Sequence, residues 1–405
     1  MPPTHLLTVL HAAERSGPPM FALQYLRWLA THEPGVRFST VFLDTGGPIE
    51  PDFAELGPTL VAGTKAPWRK PHARIRAAVW HSRRLRLRRL LGAHGPVSLT
   101  HVHCAGSFKV VPALPPGPIL GHLHELSVGQ DLHLGPTARR YVTVADRYVA
   151  VADGVRDEFL GRFDVEPERV ERQWGFVDPE RIPQRVDRRT LGWDDDDVVV
   201  LSSGVRNWRK APELFVAVAA GVIRRRPDVR WRFVWLGGGD TPGLDDALGR
   251  SPLAGSVVFV PHQPDAMAWI AAADLFVLPA REDAFPLVCV EAASAATPIV
   301  TFDNGGAADL VHASGCGTVV GFPDVDAMAR AIVDLALDRD RSRRLGDRGR
   351  EFARRELTVD VAAPRLWAST RATIEEAARG TRRDSFLAPP EPPRPPRHRG
   401  WGARP

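Results

Sequence analysis

The chain has 405 residues, of which 44% are hydrophobic and 25% are charged, and its formal net charge is +5. This length favours two domains over a single core, and the composition is that of an ordinary globular protein. No apolar run reaches the roughly 18 residues that a membrane-spanning helix needs. The first ten residues lack the basic and apolar regions of a signal peptide. We therefore expect a cytoplasmic protein. Its three widely spaced cysteines predict no disulfide framework and no metal site.

Predicted strands and helices alternate along the first half of the chain. The turn after the first strand, Ser16-Gly17-Pro18-Pro19, leads into a helical pattern from Met20 to Ala30. Ligands of open α/β sheets bind at such strand-to-helix turns, which makes Gly17 a candidate binding residue and a plain turn the alternative. The strands are predicted at about 5–10, 36–43, 97–103, 118–123, 146–151 and 169–174.

Residues 65–89 form a basic segment with ten Lys or Arg side chains and no acid. On a helical wheel its apolar residues cover a stripe of roughly 120°, the width typical of an amphipathic surface helix. The pattern predicts contact with an anionic membrane surface, and a solvated Arg-rich helix is the alternative. We expect no nucleic-acid partner, because no nucleic-acid motif accompanies the charge. The cations are Lys65, Arg69, Lys70, Arg74, Arg76, Arg83, Arg84, Arg86, Arg88 and Arg89.

Four histidines cluster near two predicted strand ends. His101 and His103 form one pair and His122 and His124 the other, so each pair lies on one face of a strand. Zinc sites need three or four protein ligands, and no acid or cysteine completes a ligand set here. We therefore expect no metal. Functional histidines and purely structural ones both remain open.

The second half opens with a strand at 197–203, and the loop that follows carries three cations just before a helix. Arg206, Arg209 and Lys210 in this place predict an anion clamp, with a basic loop in solvent as the alternative. A glycine run, Gly237–Gly239, closes the strand at 230–236. Glycine permits close approach of a ligand to the backbone, although such runs are often only turns.

Two acids distinguish the stretch from 278 to 300. A strand at 274–278 ends in a loop that holds Asp283, and Phe285-Pro286 opens a helix predicted to run to about Ala296. Glu291 lies inside this apolar helix, where a carboxylate is costly to bury without a partner. Its side chain either reaches solvent or a salt bridge, or binds a ligand. Two acids for sugar hydroxyls and a helix start for a diphosphate together predict a sugar-nucleotide pocket.

The stretch from Asp283 to Glu291 resembles the donor-binding signature of glycosyltransferase family 4: an acid, seven residues and a Glu, with Phe285-Pro286-Leu287 between them. The segment from Gly204 to Lys210 is similar to the family's phosphate loop. Val205 occupies an Arg position of this loop. The chain also departs from the family pattern at Ala211 and Ala296, which stand at usual Gly positions, and at the turn Ser16-Gly17-Pro18-Pro19, which stands where a Gly-Gly pair is usual. The segment 121–126 resembles the acceptor-side histidine motif, which would place His124, or its rival His122, against the reacting sugar.

This resemblance implies an α/β protein of the GT-B fold, in which two Rossmann-like βα domains face each other across a cleft. The acceptor-side domain would span 1–180 and the donor domain 195–357, with a helix at 358–380 crossing back to the first domain. The Pro- and Arg-rich residues 388–405 have the composition of a disordered tail.

The implied activity is transfer of a hexosyl unit, with retention, from a nucleoside-diphosphate sugar to a glycan, lipid-linked or small-molecule acceptor, without cofactor or metal. An inactive GT-B subunit that binds sugar nucleotides or glycans is the alternative, because the pattern has departures. An NAD enzyme is a third and poorer interpretation, because no Gly-x-Gly-x-x-Gly turn follows a strand with an acid about 20 residues further on. The implied catalytic residues are His124, Lys210 and Asp283, and the implied donor-binding residues are Gly17, Arg206, Arg209, Lys210, Asp283, Phe285, Pro286, Leu287 and Glu291.

Overall fold

The structure is a computed structural model that describes residues 4–63, 85, 87, 92, 95–134, 136–178, 182, 186–239, 241 and 243–379, with only the backbone at 136–138. Apart from Leu85 and Leu87, the basic segment 65–89 lies outside these residues, as does the tail 388–405. The chain forms two compact units. Unit 1 contains the residues up to Trp174 and those from Ala363 onward, and unit 2 contains Gly175–Ala362.

Unit 1 is built on a parallel sheet with seven described strands in the order β3-β2-β1-β4-β5-β6-β7. Its strands are short apolar runs that are buried along most of their length, as expected where helices cover both faces. They are β1 (Thr4–Ala12), β2 (Val36–Thr45), β3 (Thr59–Val61), β4 (Leu99–His103), β5 (Ile119–Leu123), β6 (Arg147–Ala150) and β7 (Val170–Arg172). The helices of its first segment are α1 (Gly17–His32), α2 (Glu50–Leu56), α3 (Ser127–His133), α4 (Pro136–Tyr141) and α5 (Asp153–Arg162), with 3-10 turns at Ala105–Ala113 and Pro167–Arg169.

Unit 2 has a second parallel sheet, with six described strands in the order β10-β9-β8-β11-β12-β13. Its strands are β8 (Val198–Ser203), β9 (Trp231–Leu236), β10 (Val257–Val260), β11 (Leu275–Leu278), β12 (Ile299–Phe302) and β13 (Gly317–Val320). After a 3-10 turn at Arg188–Leu191, the helices are α6 (Pro212–Arg225), α7 (Leu244–Gly249), α8 (Ala266–Ala272), α9 (Leu287–Ser294), α10 (Gly306–Ser314), α11 (Val325–Leu337) and α12 (Arg339–Glu356). Phe215, Phe233 and Trp235 are fully buried at the centre of its core.

The last described helix, α13 (Val359–Ala378), begins in unit 2 and continues through unit 1. Within unit 1 it is tied to α1 by a hydrogen bond of 3.2 Å between the hydroxyls of Tyr25 and Thr370. Arg147, on β6, donates to Glu376 at 2.9 Å. No described helix is both long enough and apolar enough to span a bilayer.

Three local features differ from the sequence-based expectations. The helix predicted to open at Phe285 begins at Leu287, because Pro286 has an extended backbone (ψ 111°) and serves as the N-cap. The three-residue edge strand β3 is not predicted, since so short a run carries no periodicity. The short stretch left between the two predicted domains, 181–194, contributes to unit 2, where Arg188 donates to Asp274 at 3.0 Å and the rings of Trp193 and Trp269 lie 5.3 Å apart.

Each sheet has one topological switch point, a pair of neighbouring strands from which the chain connections run outward in opposite directions. In unit 2 this place lies between β8 and β11, and in unit 1 between β1 and β4. The crevice outside the carboxyl ends of the strands at such a switch point is where open α/β sheets bind ligands. In unit 2 it is bordered by the loop 204–211, after β8, and the loop 279–286, after β11.

Candidate active site

The centre of the unit 2 site is an ion pair between Lys210 and Asp283. Lys210 Nζ donates to Asp283 Oδ2, and both side chains are about one-tenth exposed. The Nη1 atom of Arg209 lies 3.9 Å from Asp283 Oδ1. Two cations thus flank a single carboxylate at the switch point. Charge-assisted contacts of this kind hold the two loops together at the strand ends.

The lysine is positioned by the shape of the loop after β8. Its stem passes over Gly204 (φ +146°), where an added Cβ would lie 3.2 Å from Lys210 Cε. The backbone N–H of Lys210 donates to the side chain of Asn207 at 3.0 Å. Ala211 then takes a left-handed conformation (φ +56°) as the N-cap of α6. This conformation favours glycine, the residue usual at this place in the family that the sequence resembles.

Arg206 belongs to a different set of contacts from Arg209 and Lys210. Its guanidinium donates to the carbonyl of Gly239 at 2.8 and 3.1 Å and to Asp245 at 2.6 Å, and it lies over the ring of Phe259. Its donors are therefore directed toward the loop after β9 and toward α7. Of the three predicted clamp cations, the structure brings Arg209 and Lys210 to Asp283 and directs Arg206 elsewhere.

The glycine run after β9 is explained by packing between loops. An added Cβ on Gly237 would lie 2.2 Å from the Gly204 carbonyl oxygen, and one on Gly239 would lie 2.7 Å from that of Arg206. The backbones of the two loops also hydrogen-bond, from Arg206 N to Gly238 O at 2.8 Å. These glycines let the loop after β8 and the loop after β9 form one wall of the site.

The loop after β11 is fixed from two sides by residues that the sequence analysis did not single out. Arg281 donates from its backbone to Arg209 O at 2.8 Å and from its side chain to Trp208 O at 2.9 Å, and it pairs with Glu213. The side-chain amide of Asn304 donates to the carbonyls of Ala280 and Arg281 at 2.9 and 2.8 Å. Arg281 thereby joins the two loops that carry Lys210 and Asp283. In the sequence, the one indication that Arg281 links the two loops is its position in a loop rich in charged residues.

Gly305 and Gly306 allow the start of α10 to approach Asp283. The N–H of Gly306 donates to Asp283 O at 3.0 Å. An added Cβ would lie 2.3 Å from Asp283 O at Gly305 and 2.0 Å from Ala284 O at Gly306. The backbone of Asp283 is therefore held in a single place, which fixes the direction of its side chain.

The remaining residues of the predicted signature lie on or just before α9. Glu291 is in this helix and is partly buried. Phe285 and Leu287 pack on the backbone of Gly175, where an added Cβ would lie 3.1 and 2.7 Å from their side chains. Pro286, which lies between these two residues in the sequence, is also buried. The ring of Phe285 and the side chain of Leu287 therefore have a packing role within unit 2.

In unit 1 the structure brings the four predicted histidines together. His101 Nε2 and His122 Nδ1 are 3.2 Å apart, and His103 Nδ1 and His124 Nε2 are 3.1 Å apart. His124 follows β5 and is partly exposed, whereas the other three are buried. Between the two rivals for sugar contact, the exposure favours His124 over His122. Gly17 is the first residue of α1, and the space around its Cα is open.

Burial determines the charge of this histidine cluster. Desolvation lowers the pKa of His101 to about 3 and that of His124 to about 3. Desolvation also holds the pKa of His103 and of His122 well below the ordinary value, with the neighbouring histidines as a second cause. All four rings are therefore neutral at physiological pH.

Residues 183–352 match the family described as "Glycosyl transferases group 1". The chain is 32% identical over 269 residues to D-inositol 3-phosphate glycosyltransferase 2 of Catenulispora acidiphila, in an alignment that covers 62% of this chain and 60% of that relative. It is 29% identical over 241 residues to the D-inositol 3-phosphate glycosyltransferase of Gordonia bronchialis, covering 55% and 52%. The chain thus spans about 60% or less of the length of these curated relatives.

Solved structures resemble the chain over most of its length. Sucrose-phosphate synthase from Thermosynechococcus elongatus matches with a TM-score of 0.75 and 17% identity, covering 92% of this chain and 99% of that one. HepE of Anabaena, solved in complex with UDP-glucose, matches with a TM-score of 0.73 and 14% identity, covering 91% and 99%. This likeness confirms the predicted fold class, two parallel-sheet Rossmann-like units of the GT-B type.

Proposed function

We propose that the chain is a retaining glycosyltransferase of family 4 that moves a hexosyl unit from a nucleoside-diphosphate sugar to a hydroxyl of a glycan, lipid-linked or small-molecule acceptor. The observation that carries the proposal is the Lys210–Asp283 pair, with Arg209 beside it, at the switch point of unit 2. This pair lies within the residues that match the glycosyl transferase family. HepE, which shares the fold, was solved with a nucleotide sugar.

In the proposed reaction the bond between the anomeric carbon and the diphosphate oxygen breaks, and its electron pair leaves with the diphosphate. The acceptor oxygen forms the new bond on the same face, and its proton passes to the departing diphosphate oxygen. Lys210 and Arg209 would stabilise the charge that develops on the leaving diphosphate, as fixed cations do in a preorganised site. Asp283 would accept hydrogen bonds from sugar hydroxyls, and Glu291 from the ribose. A role of His124 at the sugar stays a prediction.

The proposed donor chemistry needs no divalent cation, because Lys210 and Arg209 would supply the positive charge. The transferase assay is therefore run in excess EDTA, where we expect activity to persist. Loss of activity that Mg²⁺ or Mn²⁺ restores would contradict this part of the proposal.

The test of function is calorimetry with UDP-, GDP- and ADP-sugars, followed by turnover assays with the donor that binds. Inositol 3-phosphate is included among the acceptors because it appears in the names of the relatives. We expect one class of donor to bind and to be transferred or slowly hydrolysed. Lys210→Met is the matched inactive variant.

A binding subunit without catalysis is the second candidate. It is favoured by Val205, which is 60% exposed where the family carries Arg, so that one expected cation is missing. Donor binding without transfer or hydrolysis, under conditions where the wild type is folded, would support this candidate and overturn the proposed activity.

A further inference from the structure

His101, His103, His122 and His124 form a cluster in unit 1, buried except for the partly exposed His124, that the proposed function does not use beyond His124. His103 and His122 are paired in the register of β4 and β5, and His101 lies two residues before His103, so the three rings project from one face of the sheet. Each of the three is at most 3% exposed. One ring nitrogen from each lies within 4.8 Å of the other two.

The hydrogen bonds between the rings leave some ring nitrogens of the cluster without a partner. The pairs His101–His122 and His103–His124 use one nitrogen of each ring. Among the described residues, the Nε2 atoms of His103 and His122 have no hydrogen-bond partner, although both are buried. A buried polar atom without a partner destabilises the fold, so the Nε2 atom of His103 is available to a ligand.

We propose that His101, His103 and His122 bind one divalent transition-metal ion of the Zn²⁺ class. Zinc takes imidazole nitrogens at about 2.0–2.1 Å, which places the nitrogens of a tetrahedral site about 3.3 Å apart. The His101 and His122 nitrogens already lie 3.2 Å apart. The third ligand is His103, which offers a ring nitrogen within 4.8 Å of the other two and whose Nε2 atom has no described hydrogen-bond partner.

His124 would act as a positioning residue for this site. Its Nε2 holds Nδ1 of His103 at 3.1 Å, which fixes the ring orientation of His103 and leaves its Nε2 for the ion. Phe21, on α1, packs edge-on against His122 at 4.7 Å between ring centroids and limits how far the rings turn. Three protein ligands leave a fourth position for water or hydroxide, which would offset part of the ion's charge.

The ion would join β4 to β5 beneath α1 and would thus stabilise unit 1. This inference does not rest on the proposed function, because no residue of unit 2 takes part. Glu125, the nearest acid along the chain, is not available as a fourth ligand through its Oε2, which accepts from the backbone of Ala105 and His124 at 3.1 and 3.3 Å.

The experiment uses the full chain and the metals alone. The wild type is purified, freed of loose metal by gel filtration and measured by mass spectrometry, and apo protein is then titrated with Zn²⁺ and Co²⁺. We expect about one equivalent of metal per chain, a raised melting temperature with Zn²⁺, and the visible d–d bands of tetrahedral Co²⁺. A wild type that takes up no metal and gives no Co²⁺ spectrum would overturn the inference without any variant.

Two variants and a control locate the site. His103→Asn should lose the Co²⁺ bands, and His124→Ala should weaken Zn²⁺ affinity by about 10–100-fold, the usual effect of removing a residue that orients a ligand. His32→Asn, at an exposed histidine of α1, should bind as the wild type does. Equal metal binding in the wild type and in a folded His103→Asn protein, judged by circular dichroism, would place the ion elsewhere and overturn the assignment.

Discussion

The acids of the site define the first prediction at the scale of single residues. Asp283→Asn and Glu291→Gln should each weaken donor binding by about 1.5–3 kcal/mol, the usual value of a hydrogen bond to a charged group. Asp283→Asn should also lower stability, since it leaves Lys210 without its ion-pair partner. Calorimetry against UDP-sugars measures the affinity, with Asp347→Asn, at an exposed position of α12, as the control. Unchanged donor affinity in both variants would remove these two acids from the site.

The sequence was sufficient to identify Lys210 and Asp283 as site candidates, because motif spacing places both at carboxyl ends of strands. It was not sufficient to separate the three cations of the clamp. The partners that direct Arg206 away from Asp283 are Gly239 and Asp245, which lie 33 and 39 residues along the chain. Contacts over such separations depend on which strands pair, and no local pattern encodes them.

The different contacts of the two arginines lead to a second prediction. Arg209→Gln should weaken the binding of UDP by about 1.5–3 kcal/mol, as expected for loss of a charged donor at the diphosphate. Arg206→Gln should change UDP affinity by less than half as much, because the Arg206 guanidinium already bonds Gly239 and Asp245. A titration of both variants with UDP alone measures this. A larger loss of UDP affinity in Arg206→Gln than in Arg209→Gln would show that Arg206 binds the diphosphate.

Ala211 and Ala296 both take left-handed backbone conformations, at φ +56° and +61°. A side chain with a Cβ costs roughly 1–2 kcal/mol there, and glycine avoids this cost at some expense in unfolded-chain entropy. We therefore predict that Ala211→Gly and Ala296→Gly each raise the free energy of unfolding by up to about 1 kcal/mol.

Urea denaturation of the two glycine variants measures the effect. Ala217→Gly is the matched control, because this exposed alanine lies inside α6, where the same change should destabilise by about 1 kcal/mol. A loss of stability in all three variants would show that the left-handed positions carry no strain.

At the scale of elements, the alternation of strands and helices was predictable because each strand is a short apolar run between turn residues. The exact start of α9 was not, since Pro286 is compatible with both a first helical turn and an N-cap. Packing decides between these two, because Phe285 and Leu287 cover Gly175, which is more than a hundred residues earlier in the chain. The three-residue strand β3 depends likewise on its partner β2.

The contact between the start of α10 and the loop after β11 leads to a prediction at this scale. Gly306→Ala would place a Cβ 2.0 Å from the carbonyl oxygen of Ala284, so one of the two backbones must move. Overpacking of this kind costs about 1–3 kcal/mol of stability. We also expect donor affinity to fall about tenfold or more, or 1.4 kcal/mol, because the displaced loop carries Asp283.

Gly321→Ala is the control, since no atom lies within 4 Å of an added Cβ there. Donor titration and urea denaturation of both variants distinguish the two effects. A Gly306→Ala protein with wild-type donor affinity would show that the position of this loop does not limit binding.

At the scale of the whole molecule, the basic segment 65–89 leads to a prediction that lies outside the described residues. Ten cations without an acid should bind anionic vesicles, since each Lys or Arg near such a surface contributes about 1 kcal/mol. The attraction should weaken steeply as salt shortens the Debye length below about 10 Å.

Vesicle co-sedimentation, with and without anionic lipid, measures this binding. The test variant changes Arg83, Arg84, Arg86, Arg88 and Arg89 to Gln. The control removes the same charge from exposed positions of α12, by changing Arg339, Arg341, Arg343, Arg344 and Arg348 to Gln. Only the first variant should lose binding. Equal sedimentation of both variants and the wild type, or none for any of them, would leave the segment as a solvated helix.

The course of α13 has a consequence for how the protein is made. Unit 2 consists of consecutive residues, whereas unit 1 needs the chain from Ala363 onward to cover Tyr25 and Arg147. On a ribosome, the residues between Trp174 and Ala363 take on the order of 10–40 s to synthesise. We therefore expect unit 1 to begin folding first and to finish last, because its C-terminal segment is made only after unit 2. A released chain that ends at Ala362 should be cleaved by protease in its N-terminal portion and protected in unit 2.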